Sequence, residues 1–475
     1  MTFPMLSTAV SVLLVGALLT DRAPSRDAAR RVAIRVLTTA GILGLLGLYS
    51  FDETLLGLQH EEFWGPFPGT ASPRFAGLSW HVGIDGLSVL LVPSVALLGA
   101  LVLVVAPRRE HTPANLRSVL LVVAGTEGAL LSVPPWLALS FFGLALASGH
   151  ALLPATAWTA RRVHLAVAFL GMLFLSLSLL GALGEVDTNL VALLVLFAVV
   201  GRMAVFPLHA WLPLALRDGP TSLVVVVISG ISLGTVLFAR LLGWAPSIAG
   251  TLAPVLVVAG MAAALYAAVL GIGRDDLMRA TGSVISSQSA LMLVGLAAGG
   301  EPGVSGALLQ ALATGAAVSG LLLTLGAVRA RTGTTDVTLL GGLVQRMPLA
   351  TGAYFVFAIA LVGFPGSLAF VSEDLLLHGL VATHPVVALC LLLVTALNGL
   401  TVLRGGMRAF FGPKRGESFV EDLSPRERGG VVLIALVIAL AGIVPGPVLA
   451  VRRDPAELVG APSSERTGRT EASSH

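Results

Sequence analysis

Residues 361–377 read LVGFPGSLAFVSEDLLL, and the fold turns on how that stretch is read. It lies inside an apolar run from Pro348 to about Thr383, and Phe364-Pro365-Gly366-Ser367 interrupts it. Proline removes a donor and clashes with the turn before it, and glycine loosens the backbone. A break at membrane depth frees backbone groups, so it must line protein or water rather than lipid. Glu373 and Asp374 follow two turns later, still within the apolar run. Ionisable groups there are costly and usually mark an ion pathway. A broken helix beside a buried acid is a common transporter site. The other reading is a proline kink, with the two acids at a helix end facing water.

Outward from that stretch, the composition is that of a polytopic membrane protein. Of 475 residues, 56% are hydrophobic and 12% charged, with a mean hydropathy of +0.92. The basic residues are scattered over short loops and include one lysine, Lys414, so the basic pI does not indicate nucleic-acid binding. Cys390 is the single cysteine, which excludes an internal disulfide and a CxxC metal site. No Gly-rich phosphate loop follows a strand, and no segment is large enough for a nucleotide or redox domain. The opening MTFPMLSTAV lacks a basic n-region, so the first apolar stretch is read as a retained helix.

A spanning helix needs roughly 20 apolar residues. Fourteen such spans fall at about 4–20, 31–51, 87–107, 115–133, 135–155, 163–184, 189–214, 220–244, 250–273, 277–299, 303–329, 348–382, 385–411 and 429–451. Alternate loops carry 22 of the 29 Lys and Arg, against Arg74 alone in the facing loops, while Arg202 and Arg240 lie in or at the ends of spans. The positive-inside rule makes the rich loops cytoplasmic and puts both termini outside. Span 7 breaks at Phe206-Pro207 and span 12 at Phe364-Pro365-Gly366. Two interrupted spans five apart point to two inverted repeats, although proline is common in membrane helices. The expected fold is all-α, a polytopic bundle of about 14 transmembrane helices with two inverted five-helix repeats and broken helices 7 and 12. The segments are an N-terminal 1–114, repeats over 115–244 and 245–411, a cytoplasmic loop with the last span over 412–451, and a disordered polar tail, 452–475.

Several stretches carry a family resemblance: HVGIDGLSVL (81–90), FPLHAWLPLALRDGPT (206–221), DLMRATGSVISSQ (276–288), GALLQALATG (306–315) and GGLVQRMP (341–348). In order and spacing they resemble the antiporter-like subunits of respiratory complex I and their Mrp-type cation/proton antiporter relatives. A glutamate at the Glu373 position, where the L- and N-type subunits and Mrp relatives have lysine, is most like the subunit M group of NADH:quinone oxidoreductase. The resemblance implies proton movement along a mid-membrane polar line. It implies no cofactor in this chain and no catalysis by it alone. Its partners would be the lipid bilayer, other membrane subunits, and redox subunits holding flavin and iron–sulfur clusters. The expected location is a bacterial inner membrane.

The sequence departs from the family pattern in the first half. The span-5 glutamate is gone from Leu139-Ser140-Phe141-Phe142-Gly143-Leu144, and Glu127 in span 4 is the nearest substitute unless it pairs with a neighbouring polar group. The span-7 lysine aligns with Arg202, which stays charged and suits a fixed-charge role, paired to an acid such as Glu127. The span-8 lysine aligns with Ser232 and the span-11 histidine with Thr314; hydroxyls can hold water but not store a proton. His209 is kept, whereas Leu214, Leu216 and Met278 stand where the family has charged groups. The candidate pathway is therefore Glu373, Asp374, His378, Glu127, Arg202, His209, Ser232 and Thr314, with His378 alternatively at the outer interface. Three functions remain open. The chain could be a proton-translocating subunit, a degenerate structural or coupling subunit, or a membrane subunit of an Mrp-like antiporter or inorganic-carbon uptake complex.

Overall fold

A computed structural model describes residues 4–52, 58–64, 79–183, 188–244, 246–413 and 421–450. The polar tail, Arg74 and Lys414 lie outside the described residues. The helices are α1 (Met5–Asp21), α2 (Arg26–Tyr49), α3 (Leu91–Val105), α4 (Pro113–Leu131), α5 (Pro135–Ala151), α6 (Trp158–Leu183), α7 (Thr188–Arg202), α8 (Trp211–Asp218), α9 (Val224–Trp244), α10 (Pro246–Ile272), α11 (Leu277–Ala298), α12 (Gly300–Thr332), α13 (Pro348–Leu361), α14 (Leu368–Val381), α15 (Pro385–Gly406), α16 (Pro425–Ile443) and α17 (Gly446–Ala450). Each of the fourteen apolar spans finds its helix. The excess comes from span 7 dividing into α7 and α8, span 12 into α13 and α14, and the short α17 closing span 14. Several helices begin where the sequence supplies a cap. Ser25, Thr112, Asp276 and Ser424 accept from the backbone of the first turn, and Ser424 with Glu427 forms a reciprocal capping box.

The long loop between α2 and α3 holds a small antiparallel pair that the apolar-run reading missed, β1 (Gln59–Trp64) with β2 (Trp80–Ile84). QHEEFW is too polar and too short to announce a strand. Its Glu62 carboxylate accepts from the amides of Leu6 and Ser7 at 2.7 and 2.8 Å, serving two of the free donors at the start of α1.

Layering is inside-out relative to a water-soluble protein. α9, α11 and α12 are buried nearly all round, whereas α2, α6, α10 and α15 keep one apolar side on the surface. α11 is polar for a span: Thr281, Ser283, Ser286, Ser287, Gln288 and Ser289 are all buried. The outer faces carry Val255, Val258, Val386, Leu389, Leu440 and Ile443. In a bilayer the hydrophobic effect no longer sorts residues between core and surface, so polar groups gather at the centre, where they find partners.

A polar line beside the helix break as the candidate functional site

The site is built on the interruption of the last long span. Pro365 has no amide to donate to the carbonyl of Leu361, four residues earlier. That carbonyl instead accepts from Gln288 Nε2 of α11 at 3.0 Å. Gly363 turns the chain at φ +71° and Gly366 at φ +92°, in the left-handed region that glycine tolerates. Ser367 then caps α14, its Oγ accepting from Phe370 N at 3.3 Å. Close approach is possible because Gly306 of α12 faces the α14 backbone; a Cβ there would lie 2.9 Å from Leu376 N.

Glu373 points back at the break and is 7% exposed. Its Oε2 lies where a Cβ on Gly363 would be only 2.6 Å away. Thr395 Oγ1 of α15 donates to Oε2 at 2.9 Å, and Gln288 Nε2 donates to Oε1 at 3.2 Å. Gln310 Nε2 of α12 donates to Gln288 Oε1 at 2.9 Å, and Ser372 Oγ bonds to Gln310 Oε1. One turn along α15, Asn398 Nδ2 donates to Ser287 Oγ at 3.0 Å, and Ser287 Oγ donates to the carbonyl of Ala264 at 2.9 Å. The result is a buried chain of hydroxyls and amides from α12 and α11 through Glu373 to α15. Among these groups only Glu373 carries an ionisable side chain.

Gln288, Gln310, Ser372, Thr395, Ser287 and Asn398 were not singled out from sequence. The signal was available: an amide in mid-span must find a partner or leave its polar atoms unsatisfied. The acid pair, by contrast, divides. Asp374 and His378 lie on the exposed side of α14, with His378 Nδ1 3.5 Å from Asp374 Oδ1. A step of one residue is about 100° around a helix, so Asp374 cannot share the side that Glu373 buries.

In the first half, Arg202 ends α7 and is buried. Its Nη2 donates to Ser229 Oγ of α9, whose hydroxyl is also bonded to Thr126 of α4. The expected ion pair with Glu127 does not form. Thr126 takes the position facing α9, and Glu127, one residue on, is turned away, fully buried with no partner for either carboxylate oxygen among the described residues. Ser232 is buried on α9 one turn beyond Ser229. Thr314 is buried on α12 one turn from Gln310, its hydroxyl unpartnered among the described residues. α9, which carries Ser229 and Ser232, packs on α12, which carries Gln310 and Thr314. His209 is not in this line. It lies in the break after α7, half-buried, with its ring against Phe206 and Tyr266 at 5.7 and 5.5 Å. Among the described residues, no group of three or more His, Cys, Asp or Glu side chains could hold a metal ion.

Two broken spans around a buried polar line make this a polytopic membrane protein with charged and polar groups gathered at its centre. Residues 138–398 match the family described as NADH:quinone oxidoreductase/Mrp antiporter, transmembrane region, and the chain belongs to that family. It is similar to NADH-quinone oxidoreductase subunit M of Pseudomonas aeruginosa, 27% identical over 416 residues that cover 78% of this chain and 80% of that one. Among solved structures it resembles a chain of respiratory complex I from Thermus thermophilus with bound NADH. There the TM-score is 0.83 and the identity 26%, over 97% of this chain and 100% of that one. A chain of the Mrp complex from Dietzia sp. DQ12-45-1b shares the fold, with a TM-score of 0.84 at 19% identity over 98% and 99% of the two chains.

Proposed function

We infer that this chain is a subunit M-like member of a complex I-type NADH:quinone oxidoreductase and moves protons through Glu373. The observation that carries the reading is the placement of Glu373. It is a buried carboxyl at a helix break, hydrogen-bonded by Thr395 and Gln288 and continuous with further hydroxyls and amides. A carboxyl in that setting alternates between charged and neutral forms as the charge beside it changes, and the line relays the proton it gains or loses. Moving one charge against the membrane potential costs about 2.3 kcal/mol per 100 mV, so an external drive is needed. Redox subunits with flavin and iron–sulfur clusters would supply it, with other membrane subunits as neighbours. The chain itself needs no cofactor for this role. Residues 115–244 and 245–411 would act as inverted repeats, in a bacterial inner membrane with both termini outside.

The test is Glu373→Gln in the assembled complex, reading redox-driven proton uptake in vesicles. Loss of pumping with assembly intact is the expected result. Unchanged pumping refutes conduction through Glu373 and favours a second reading, a coupling subunit that no longer conducts. One observation favours that alternative: Ser232 and Thr314, buried hydroxyls that cannot store a proton, stand where the family has lysine and histidine. Isolation of the tagged chain with antiporter-like subunits alone, or with a zinc-containing soluble partner, would instead indicate the Mrp-like or carbon-uptake assembly.

A further inference from the structure

The proton route above leaves the first half without a group that can carry a proton between water and Arg202. Two histidines stand in that gap. His150 is in the last turn of α5, half-buried, next to the loop that leads to Arg161 and Arg162 on the arginine-rich side. His164, in the second turn of α6, is 4% exposed. Their rings stack with centroids 5.6 Å apart, and Trp211 meets His164 edge-on at 5.0 Å. Trp211 is itself fixed, its Nε1 donating to the carbonyl of Gly201 at 3.0 Å. His164, Trp211 and Arg202 line one partly open cavity of about 10 Å³, with Phe142, Leu146 and Gly201 also in its wall. That is room for about one water. Among the described residues, Nδ1 of His164 and Nε and Nη1 of Arg202 have no partner, and neither has Nδ1 of His150.

We propose that His150 and His164 form the proton inlet of the first half, delivering protons from the arginine-rich side to the cavity beside Arg202. The proposal rests on the translocation reading and assigns it a second pair of carriers. A proton taken up at one ring nitrogen of His150 is matched by release from the other nitrogen. The same exchange at His164 passes one proton on. Each ring ends neutral with its tautomer exchanged, and a ring turn resets it. Stacked rings do not hydrogen-bond face to face, so the transfer between them runs through water. Arg202 carries no proton itself. Among the described residues Arg202 Nε and Nη1 are free to donate to the occupant of the cavity, whose oxygen then also accepts the proton that the His164 ring releases, so that the water's own hydrogens point away from the ring.

The charged groups packed around His164 fit this role. α5 contributes His150 and α7 contributes Arg202. On α8 the charges, Arg217 and Asp218, lie at the far end from Trp211. On α6 itself Arg161 is engaged with the carbonyl of Leu153 at 2.7 Å, and Arg162 lies over the Trp158 ring at 4.7 Å. No carboxylate meets either histidine ring in an ion pair among the described residues.

The experiment uses the assembled complex in vesicles, with Glu373→Gln measured alongside. His164→Phe keeps a flat ring against Trp211 but carries no proton. His150→Ala opens a half-exposed site that added imidazole can reach. Both are expected to lower redox-driven pumping by roughly tenfold or more, the low end of proton-transfer effects being about 100-fold and other routes remaining. Imidazole is expected to restore the His150→Ala complex. Wild-type pumping by either variant overturns the inlet, as does a His150→Ala loss that imidazole leaves in place. If His164→Phe does not assemble, His150→Ala with and without imidazole decides. If Glu373→Gln also pumps normally, the translocation reading has failed. Loss in Glu373→Gln with normal pumping in the histidine variants sinks the inlet alone.

Discussion

Gln288→Leu is the most informative single change to the polar line. Leucine fills a similar volume on α11 but withdraws three bonds: to the Leu361 carbonyl at 3.0 Å, to Glu373 at 3.2 Å and from Gln310 at 2.9 Å. Hydrogen bonds between membrane helices average about 0.6 kcal/mol by double-mutant cycles, so three bonds account for about 2 kcal/mol. Two of the abandoned partners cannot find water easily. The Leu361 carbonyl has lost its helical donor to Pro365, and the Gln310 amide is fully buried. Each such group costs roughly 1–3 kcal/mol when left unsatisfied. Relaxation of the long Gln310 side chain recovers part of this, which puts the expected loss at about 2–4 kcal/mol. The assay is reversible unfolding of the detergent-solubilised chain, with Glu373→Gln and the double variant completing a cycle. Coupling between the two sites is expected at roughly 0.5 kcal/mol or more, since they are in contact. A loss below about 0.5 kcal/mol, within the range of an ordinary surface change, together with no coupling, would show that Gln288 does not hold the break, and the account of the site would fall with it.

Three other outcomes follow from particular contacts. Gly363→Ala is expected to cost about 1–2 kcal/mol for a left-handed alanine and to displace Glu373 Oε2, 2.6 Å from the new Cβ; pumping at the wild-type rate would contradict that placement. His111, in the loop between α3 and α4, is lowered to about 4 by burial and then by Arg30, Arg426 and Arg108. Its neutral form is therefore the folded one, and its contribution is complete above its ordinary value of about 6.5 and is lost as pH falls toward about 4. The melting temperature should drop between pH 7 and pH 5 and drop less in His111→Gln; equal slopes would refute the assignment. Near the end of α9, Arg240 Nη2 binds Asp85 Oδ2 at 2.9 Å and the Leu130 carbonyl at 2.8 Å. Arg240→Leu takes the cation from a largely buried carboxylate that keeps only its Ser88 bonds and is expected to cost roughly 2–3 kcal/mol, below the full penalty of a broken buried pair, whereas a thermal midpoint equal to that of the wild type would show the pair to be idle.

The apolar runs made the helices legible, and Pro365 with Gly366 made the break legible, because each acts through local backbone chemistry. Glu373 stood out for the same kind of reason, as an acid in an apolar run. What sequence could not supply was rotation. Thr126 and Glu127 are neighbours, as are Glu373 and Asp374, and in each pair about 100° of helix decides which residue faces a partner. The apolar pattern gives little help, since these spans are hydrophobic on several sides. The glutamines carry no charge and so do not stand out in an apolar run, although a buried amide also demands partners. The His150–His164 stack depends on the turn between α5 and α6, which brings together residues fourteen apart.

The polarity of α11 bears on how the chain is made. A helix enters the bilayer according to the apolar character of its own side chains, and here the helix at the centre of the bundle carries Thr281, Ser283, Ser286, Ser287, Gln288 and Ser289. It gains little from lipid. The longer and more apolar α10 and α12 flank it in sequence and pack on it. During synthesis, α11 is thus best retained at the insertion machinery until α12 emerges to take up Gln288 through Gln310. The buried polar line thus bears on the assembly of the bundle as well as on its chemistry.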